Sequence, residues 1–255
     1  MKKRVDIITI IIVLVTLAGW FFDYISIMYL IPLVITYLII NIIGSSNIQL
    51  NYFLNSYCNG NTKKKEIALT FDDGPHPENT PRLLDVLQKN NVRASFFCTG
   101  EAVLKHHYIV KQIFNEGHIV GNHTYYHSRY FDLFSTSRMV HEIIYTTNII
   151  YKTIGRTPLL FRPPYGVTNP MLMKALKRTK MFSIGWSLRS FDTVKNTDVV
   201  LKKLKSKTQS GDIVLFHDTI PETISIVSDY LDWLKLNNYE VVSLTSLLNI
   251  PAYEV

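Results

Sequence analysis

The chain has 255 residues and a formal charge of +7, which suits one domain of moderate size plus an appendage. Hydrophobic residues make up 47% and charged residues only 18%, an apolar balance for a chain surrounded by water. No Arg/Lys stripe interleaved with aromatics is present, which argues against nucleic acid as a partner. The two cysteines, Cys58 and Cys98, sit outside any Cys-x-x-Cys or Cys/His cluster, which excludes a zinc finger or a disulfide framework.

The apolar excess lies at the start. Residues 5–43 hold two charges, Asp6 and Asp23, and are preceded by Lys2-Lys3-Arg4. A spanning helix takes about 20 residues, so this stretch is too long for one span. Asp23 falls in its middle, where a charge costs roughly 3 kcal/mol. The pattern predicts a hairpin of two transmembrane helices over residues 1–43, anchored in lipid through residues 5–43. Trp20, Phe21, Phe22, Tyr24 and Tyr29 cluster near the break, as interfacial aromatics do. Leu17-Ala18-Gly19-Trp20 is a poor cleavage site, so the segment is expected to be retained. Residues 44–64, rich in Asn, Ser and Gly, read as a linker, and 65–255 as the catalytic domain.

Beyond the linker, strands alternate with helices. Glu66 to Leu69 is an apolar strand stopped by Gly74-Pro75. Thr80-Pro81 opens a helix that closes at Asn90-Asn91. Residues 93–98 form a second strand, with Cys98 a small buried hydrophobe. Glu101 to Glu116 reads as one helix ended by Gly117, and His118 to Gly121 as a third strand. A helix from Ser137 to Ile154 stops at Gly155 and leads to a fourth strand, Leu159 to Phe161. Asn169-Pro170 caps a helix to Arg178, followed by a fifth strand from Met181 to Trp186. Thr197-Asp198 caps a helix through Lys205. A sixth strand spans Ile213 to Phe216, a helix runs from about Pro221 to Leu236, and a last strand covers Tyr239 to Val242. This alternation predicts an α/β fold with a parallel sheet closed, or nearly closed, into a barrel of about seven βα units.

Polar residues collect where the strands end. Asp72-Asp73 follows the first strand. Neighbouring strand side chains point to opposite faces, but a turn can bring both carboxylates to one pocket. Two carboxylates there repel unless a cation neutralises one. An exposed Asx turn would explain the pair alone equally well; the other strand ends decide against it. His123 and His127 follow the third strand, spaced i, i+4 as on one face of a helical turn. Arg162-Pro163-Pro164-Tyr165 follows the fourth, Ser187 to Asp192 the fifth, and His217-Asp218 the sixth. In a βα barrel all of these share the face that carries chemistry. Two imidazoles and one carboxylate leave coordination positions open, the pattern of a catalytic metal site.

These residues resemble the polysaccharide deacetylase family, the NodB-homology carbohydrate esterases of class four, over about residues 66–245. Thr70-Phe71-Asp72-Asp73-Gly74-Pro75, His123 to His127, Arg162 to Tyr165 and Leu215-Phe216-His217 match four family motifs in order. The remaining motif departs: Thr193 follows Asp192 where the family often has Trp. The resemblance implies a distorted (β/α)7-type barrel and a divalent metal, commonly zinc, held by Asp73, His123 and His127. It implies that Asp72 is the general base, paired with Arg162. The Tyr165 backbone N–H would help hold the oxyanion, and His217, oriented by Asp192, would be the general acid. The implied reaction removes N-acetyl groups from N-acetylated amino sugars in a polysaccharide or glycolipid. Two other readings stand beside it: a metal-dependent amidase or esterase on another substrate, and an inactive, membrane-tethered glycan-binding protein. The sequence does not fix an oligomeric state. Lys2-Lys3-Arg4 and Lys63-Lys64-Lys65 favour a cytoplasmic catalytic domain, the resemblance favours an external one, and the side stays open between them.

Overall fold

A computed structural model describes residues 1–254. Two apolar helices come first, α1 (Lys2–Phe21) and α2 (Leu30–Ser46), joined through a short 3-10 turn at Ile27–Tyr29. The chain breaks where Asp23 sits, and Asp23 takes a left-handed φ of 61°. Most apolar side chains of both helices are exposed, among them Ile7, Ile8, Val15, Ile31 and Ile42. Across the pair, the Tyr37 hydroxyl donates to Asp6 Oδ1 at 2.9 Å, and Lys2 also pairs with Asp6.

The rest curls into one parallel sheet wrapped by helices. In chain order the elements are β1 (Ser56–Tyr57), β2 (Glu66–Asp72), α3 (Asn79–Lys89), β3 (Ser95–Cys98), α4 (Gly100–Lys105), α5 (His107–Asn115), β4 (Ile119–Asn122) and α6 (Thr136–Ile154). Then come β5 (Leu160–Phe161), α7 (Pro170–Thr179), β6 (Phe182–Ile184), β7 (Leu188–Arg189), α8 (Thr197–Lys207), β8 (Ile213–His217), α9 (Glu222–Leu236), β9 (Glu240–Val241) and α10 (Leu244–Leu248). The sheet order is β1-β6-β5-β4-β3-β2-β8-β7, with β9 paired to the start of β2. Every strand pairing is parallel. The sheet is thus a barrel left open between β1 and β7, the distorted βα barrel expected.

Period-two alternation sorts β2 between two cores. Ile67, Leu69 and Phe71 face the helices, packed with Leu83, Leu87 and Val214. Ala68, Thr70 and Asp72 face the barrel interior, where Ala68 packs with Phe97, Leu160 and Ile184 and α10 contributes Leu244 and Leu247.

Several local expectations are corrected. Residues 44–64 are not a free linker: Ile48, Tyr52 and Cys58 are buried, and β1 pairs with β6. The turn and strand there are held by specific bonds, such as Ser56 Oγ to Ser183 Oγ at 2.8 Å. The single helix expected over 101–116 is two, because His106 leaves helical geometry at φ −126° and ψ 41°. Thr80 is no N-cap; it lies inside α3, where its hydroxyl accepts from the His76 N–H and reaches Asp218. β7 and α10 carry no signal long enough to predict, at two and five residues.

Candidate active site

The strand ends converge as the topology requires. Asp72 ends β2 facing inward, and Asp73 follows it with φ 75°, a left-handed step that swings its carboxylate to the same side. The turn does relax the strand alternation. Asp72 Oδ1 accepts from Arg162 Nη1 at 2.7 Å. Arg162 follows β5 and is fully buried, 0% exposed. Its guanidinium also donates to Thr70 Oγ1 at 2.8 Å and to the Gly185 carbonyl at 2.9 Å, and stacks 4.2 Å from the Phe97 ring centre. Such a cation is tolerated inside only because its donors are used.

His123 and His127 are not on a helical turn. The stretch is a loop in which Thr124 and His127 have φ 65° and 48°. Asn122 Oδ1 accepts from the Thr124 N–H and Thr124 Oγ1 from the His127 N–H. These side chains replace helical hydrogen bonds and still bring the rings to 4.8 Å between centres. His123 Nδ1 is tied to the Arg162 carbonyl at 2.8 Å, which leaves Nε2 aimed at the carboxylates. That Nε2 lies 3.4 Å from Asp73 Oδ1 and 3.8 Å from Asp72 Oδ2. His127 Nε2 lies 3.5 Å from the same Asp73 Oδ1. One ligand atom from each of Asp73, His123 and His127 falls within 4.8 Å of the others. Asp73 Oδ1 is buried and has no hydrogen-bond partner among the described residues, an orphaned acceptor of the kind a cation would satisfy. Burial opposes charge on Asp73, but the close imidazole of His123, with those of His127 and His217 nearby, holds its carboxyl well below the usual range. The donor set fits a divalent metal of the zinc type.

Across the cavity, His217 ends β8. Its Nδ1 meets Asp192 Oδ1 at 2.9 Å, and its backbone N–H donates to Asp192 Oδ2 at 2.7 Å. Ser190 Oγ and Thr223 Oγ1 also donate to Asp192, at 2.9 and 2.8 Å. Burial pulls the His217 pKa down, but the Asp192 hydrogen bond and charge more than offset it and leave it raised. Tyr165, 56% exposed, turns at φ 57° after Pro163-Pro164, its ring centre 4.8 Å from that of His127. Asp72, Asp73, His123, His127, Tyr165 and His217 all border one cavity of about 160 Å³. Arg162 and Asp192 stand behind its wall, each bonded to a lining residue. All eight predicted residues are therefore brought to one place.

Trp186, Arg189 and Thr193 also line the cavity. Arg189 belongs to the strand-end cluster read from the sequence and Thr193 stands where the family often carries Trp, whereas Trp186 reads there only as the end of a strand. Sequence reasoning missed the hydroxyls of Thr70, Ser190 and Thr223, since isolated Ser and Thr carry no spacing signal.

Against known proteins, residues 59–183 match the family model described as polysaccharide deacetylase. A peptidoglycan-N-acetylglucosamine deacetylase of Listeria monocytogenes is 35% identical over 72% of this chain, which spans only 39% of that protein's length. A peptidoglycan-N-acetylglucosamine deacetylase of Bacillus cereus is 34% identical over 72% of this chain and 89% of its own. The crystal structure of the Bc1960 peptidoglycan N-acetylglucosamine deacetylase superposes with a TM-score of 0.74 at 31% identity, covering 77% of this chain and 94% of that one.

Proposed function

This chain belongs to the polysaccharide deacetylase family, and from that premise we propose that it is a metal-dependent hydrolase of the N-acetyl group on an amino sugar within a glycan. The observation that carries the reading is the meeting of Asp73, His123 and His127 within 4.8 Å beside Asp72 and His217. Those three residues would hold the metal, with zinc the first choice for two imidazoles and a carboxylate. When bound, it polarises the acetyl carbonyl and makes water a better nucleophile.

Asp72 is the general base. Arg162 occupies its Oδ1 and fixes the carboxylate plane, leaving Oδ2 to accept the proton of the attacking water. A C–O bond forms at the acetyl carbon, and the Tyr165 backbone N–H supports the developing oxyanion. His217 then gives the Nε2 proton to the leaving nitrogen as the C–N bond breaks, yielding acetate and a free amine. Asp192 holds His217 through Nδ1, so Nε2 is the nitrogen presented to substrate. The exposed apolar faces of α1 and α2 support a membrane anchor through residues 5–43.

Acetate release from N-acetylglucosamine oligomers, with defined divalent metal, tests the assignment. Asp72→Asn should keep metal while losing roughly 10²–10⁴ of turnover. Asp73→Asn and His123→Ala should lose metal by direct elemental analysis. Near-normal rates in Asp72→Asn, or full metal occupancy in both other variants, would overturn the roles.

A further inference from the structure

A second, larger cleft opens beside the catalytic cavity. It has a volume of about 630 Å³ and shares Tyr165, Trp186 and Arg189 with that cavity, so the two lie side by side along a common wall. One wall is the end of the apolar hairpin itself: Ser46 of α2 and the three residues after it. Gln49 pins that wall in place, its Nε2 donating to the carbonyls of Trp186 and Ser187 at 2.9 and 3.2 Å. Ser45 and Thr168 lock the same junction, the hydroxyl donating to the Thr168 carbonyl at 2.7 Å and the Thr168 N–H to the Ser45 carbonyl at 2.9 Å. The hairpin therefore sets the position of the cleft relative to its own apolar surface.

The opposite wall is cationic. Arg189, Lys203 and Lys207 line it against a single carboxylate, Asp212. That carboxylate is already engaged, with Ser187 Oγ at 2.6 Å and the Gln209 N–H at 2.7 Å. None of the three cations has a carboxylate within 4.0 Å among the described residues. Arg189 and Lys203 share the ring of Phe191, at 4.9 and 3.8 Å from its centre. Among the described residues Lys203 donates only to the Arg189 carbonyl, and Arg189 Nε is buried without a partner. Two like charges held together around one aromatic ring, with no carboxylate beside them, give this wall a positive potential that an anion would meet.

We propose that this cleft binds the phosphate linker of a lipid-linked amino sugar, and that the substrate is a membrane glycolipid whose sugar reaches the catalytic cavity next door. The inference rests on the deacetylase reading for the reaction, but the cleft's charge and placement stand independently of it. A diphosphate carries enough charge to engage three cations. Its lipid chain would leave the cleft along α2, where the apolar surface begins. A soluble neutral oligosaccharide has no use for either feature.

The test uses the full chain in discs of zwitterionic phosphatidylcholine. Polyprenyl diphosphate without sugar should bind saturably, and Lys203→Gln/Lys207→Gln should weaken it about tenfold through lost charge-assisted contacts. An unchanged melting temperature would show that the variant is folded. A nucleoside-diphosphate N-acetyl sugar, which has the diphosphate but no lipid, should bind at least about tenfold more weakly. Equal binding by wild type and double variant would overturn the phosphate site, and equal binding of the nucleotide sugar would overturn the lipid part. Acetate release is measured separately. Release from oligomers together with unaffected lipid binding in the variant sinks this inference and leaves the deacetylase standing. Lipid binding that depends on the lysines, with no acetate from any N-acetyl sugar, supports the cleft and overturns the deacetylase.

Discussion

His217 and Asp192 show how a residue's chemistry is set by what surrounds it. Burial disfavours an imidazolium, yet Asp192 Oδ1 at 2.9 Å favours it more, so His217 holds its proton to higher pH than a free histidine. A general acid works only while protonated. Its contribution is therefore complete below the ordinary histidine range and is lost as pH rises through the raised value. Asp192→Asn removes the charge that raises it, so the alkaline limb of kcat/KM should move to lower pH and the rate at neutral pH should fall roughly 10-fold or more. A pH profile of metal-loaded enzyme checks this, and an alkaline limb that stays put would detach Asp192 from His217. Both positions stood out in the sequence because each follows an expected strand, while their roles as acid and partner came from the family resemblance. Ser190 and Thr223, which hold Asp192 from its other sides, did not stand out, because a hydroxyl that serves a buried carboxylate looks like any other Ser or Thr.

At the scale of elements, the long apolar strands and the amphipathic helices were legible from periodicity and caps. Gly155, at φ 69° past the end of α6, and Asn169, whose Oδ1 accepts from the Leu172 N–H, end and start helices where expected. Short pieces with tertiary roles were not legible. β1 is two residues in a polar stretch, and only its pairing with β6 and the burial of its neighbours make it part of the fold. Gly185 is the other half of that fit, since a Cβ there would meet Cys58 Sγ at 2.6 Å. This makes the domain boundary testable. A version beginning at Asn47 keeps Ile48, Tyr52 and Cys58, and one beginning at Lys65 exposes the surface they cover. At roughly 2 kcal/mol per large buried side chain the difference is several kcal/mol. The shorter version should melt lower by roughly 10 °C or more, and equal melting temperatures would return residues 44–64 to the status of a linker.

For the whole molecule, the arrangement of the hairpin fixes which sides can be shared. The Lys2 N–H donates to the Tyr52 carbonyl at 3.1 Å, so the start of α1 and the entry to the barrel meet at one place. A chain that crosses a membrane twice returns to the side it left, and these ends agree with that. Lys2-Lys3-Arg4 and Lys63-Lys64-Lys65 flank the hairpin on that shared side, and basic flanks stay in the cytoplasm. We therefore predict an inner-leaflet catalytic domain. A fluorescent reporter that folds only in the cytoplasm, fused after Thr62, should be bright, and an alkaline phosphatase at the same point should be inactive. An active phosphatase would exclude the two-span hairpin with its N-terminus inside. The outcome also bears on substrate. A cytoplasmic domain cannot reach a polymer outside the membrane, whereas a lipid-linked sugar in the inner leaflet would present its phosphate at the level of the cationic cleft and its N-acetyl group to His217 and Asp72.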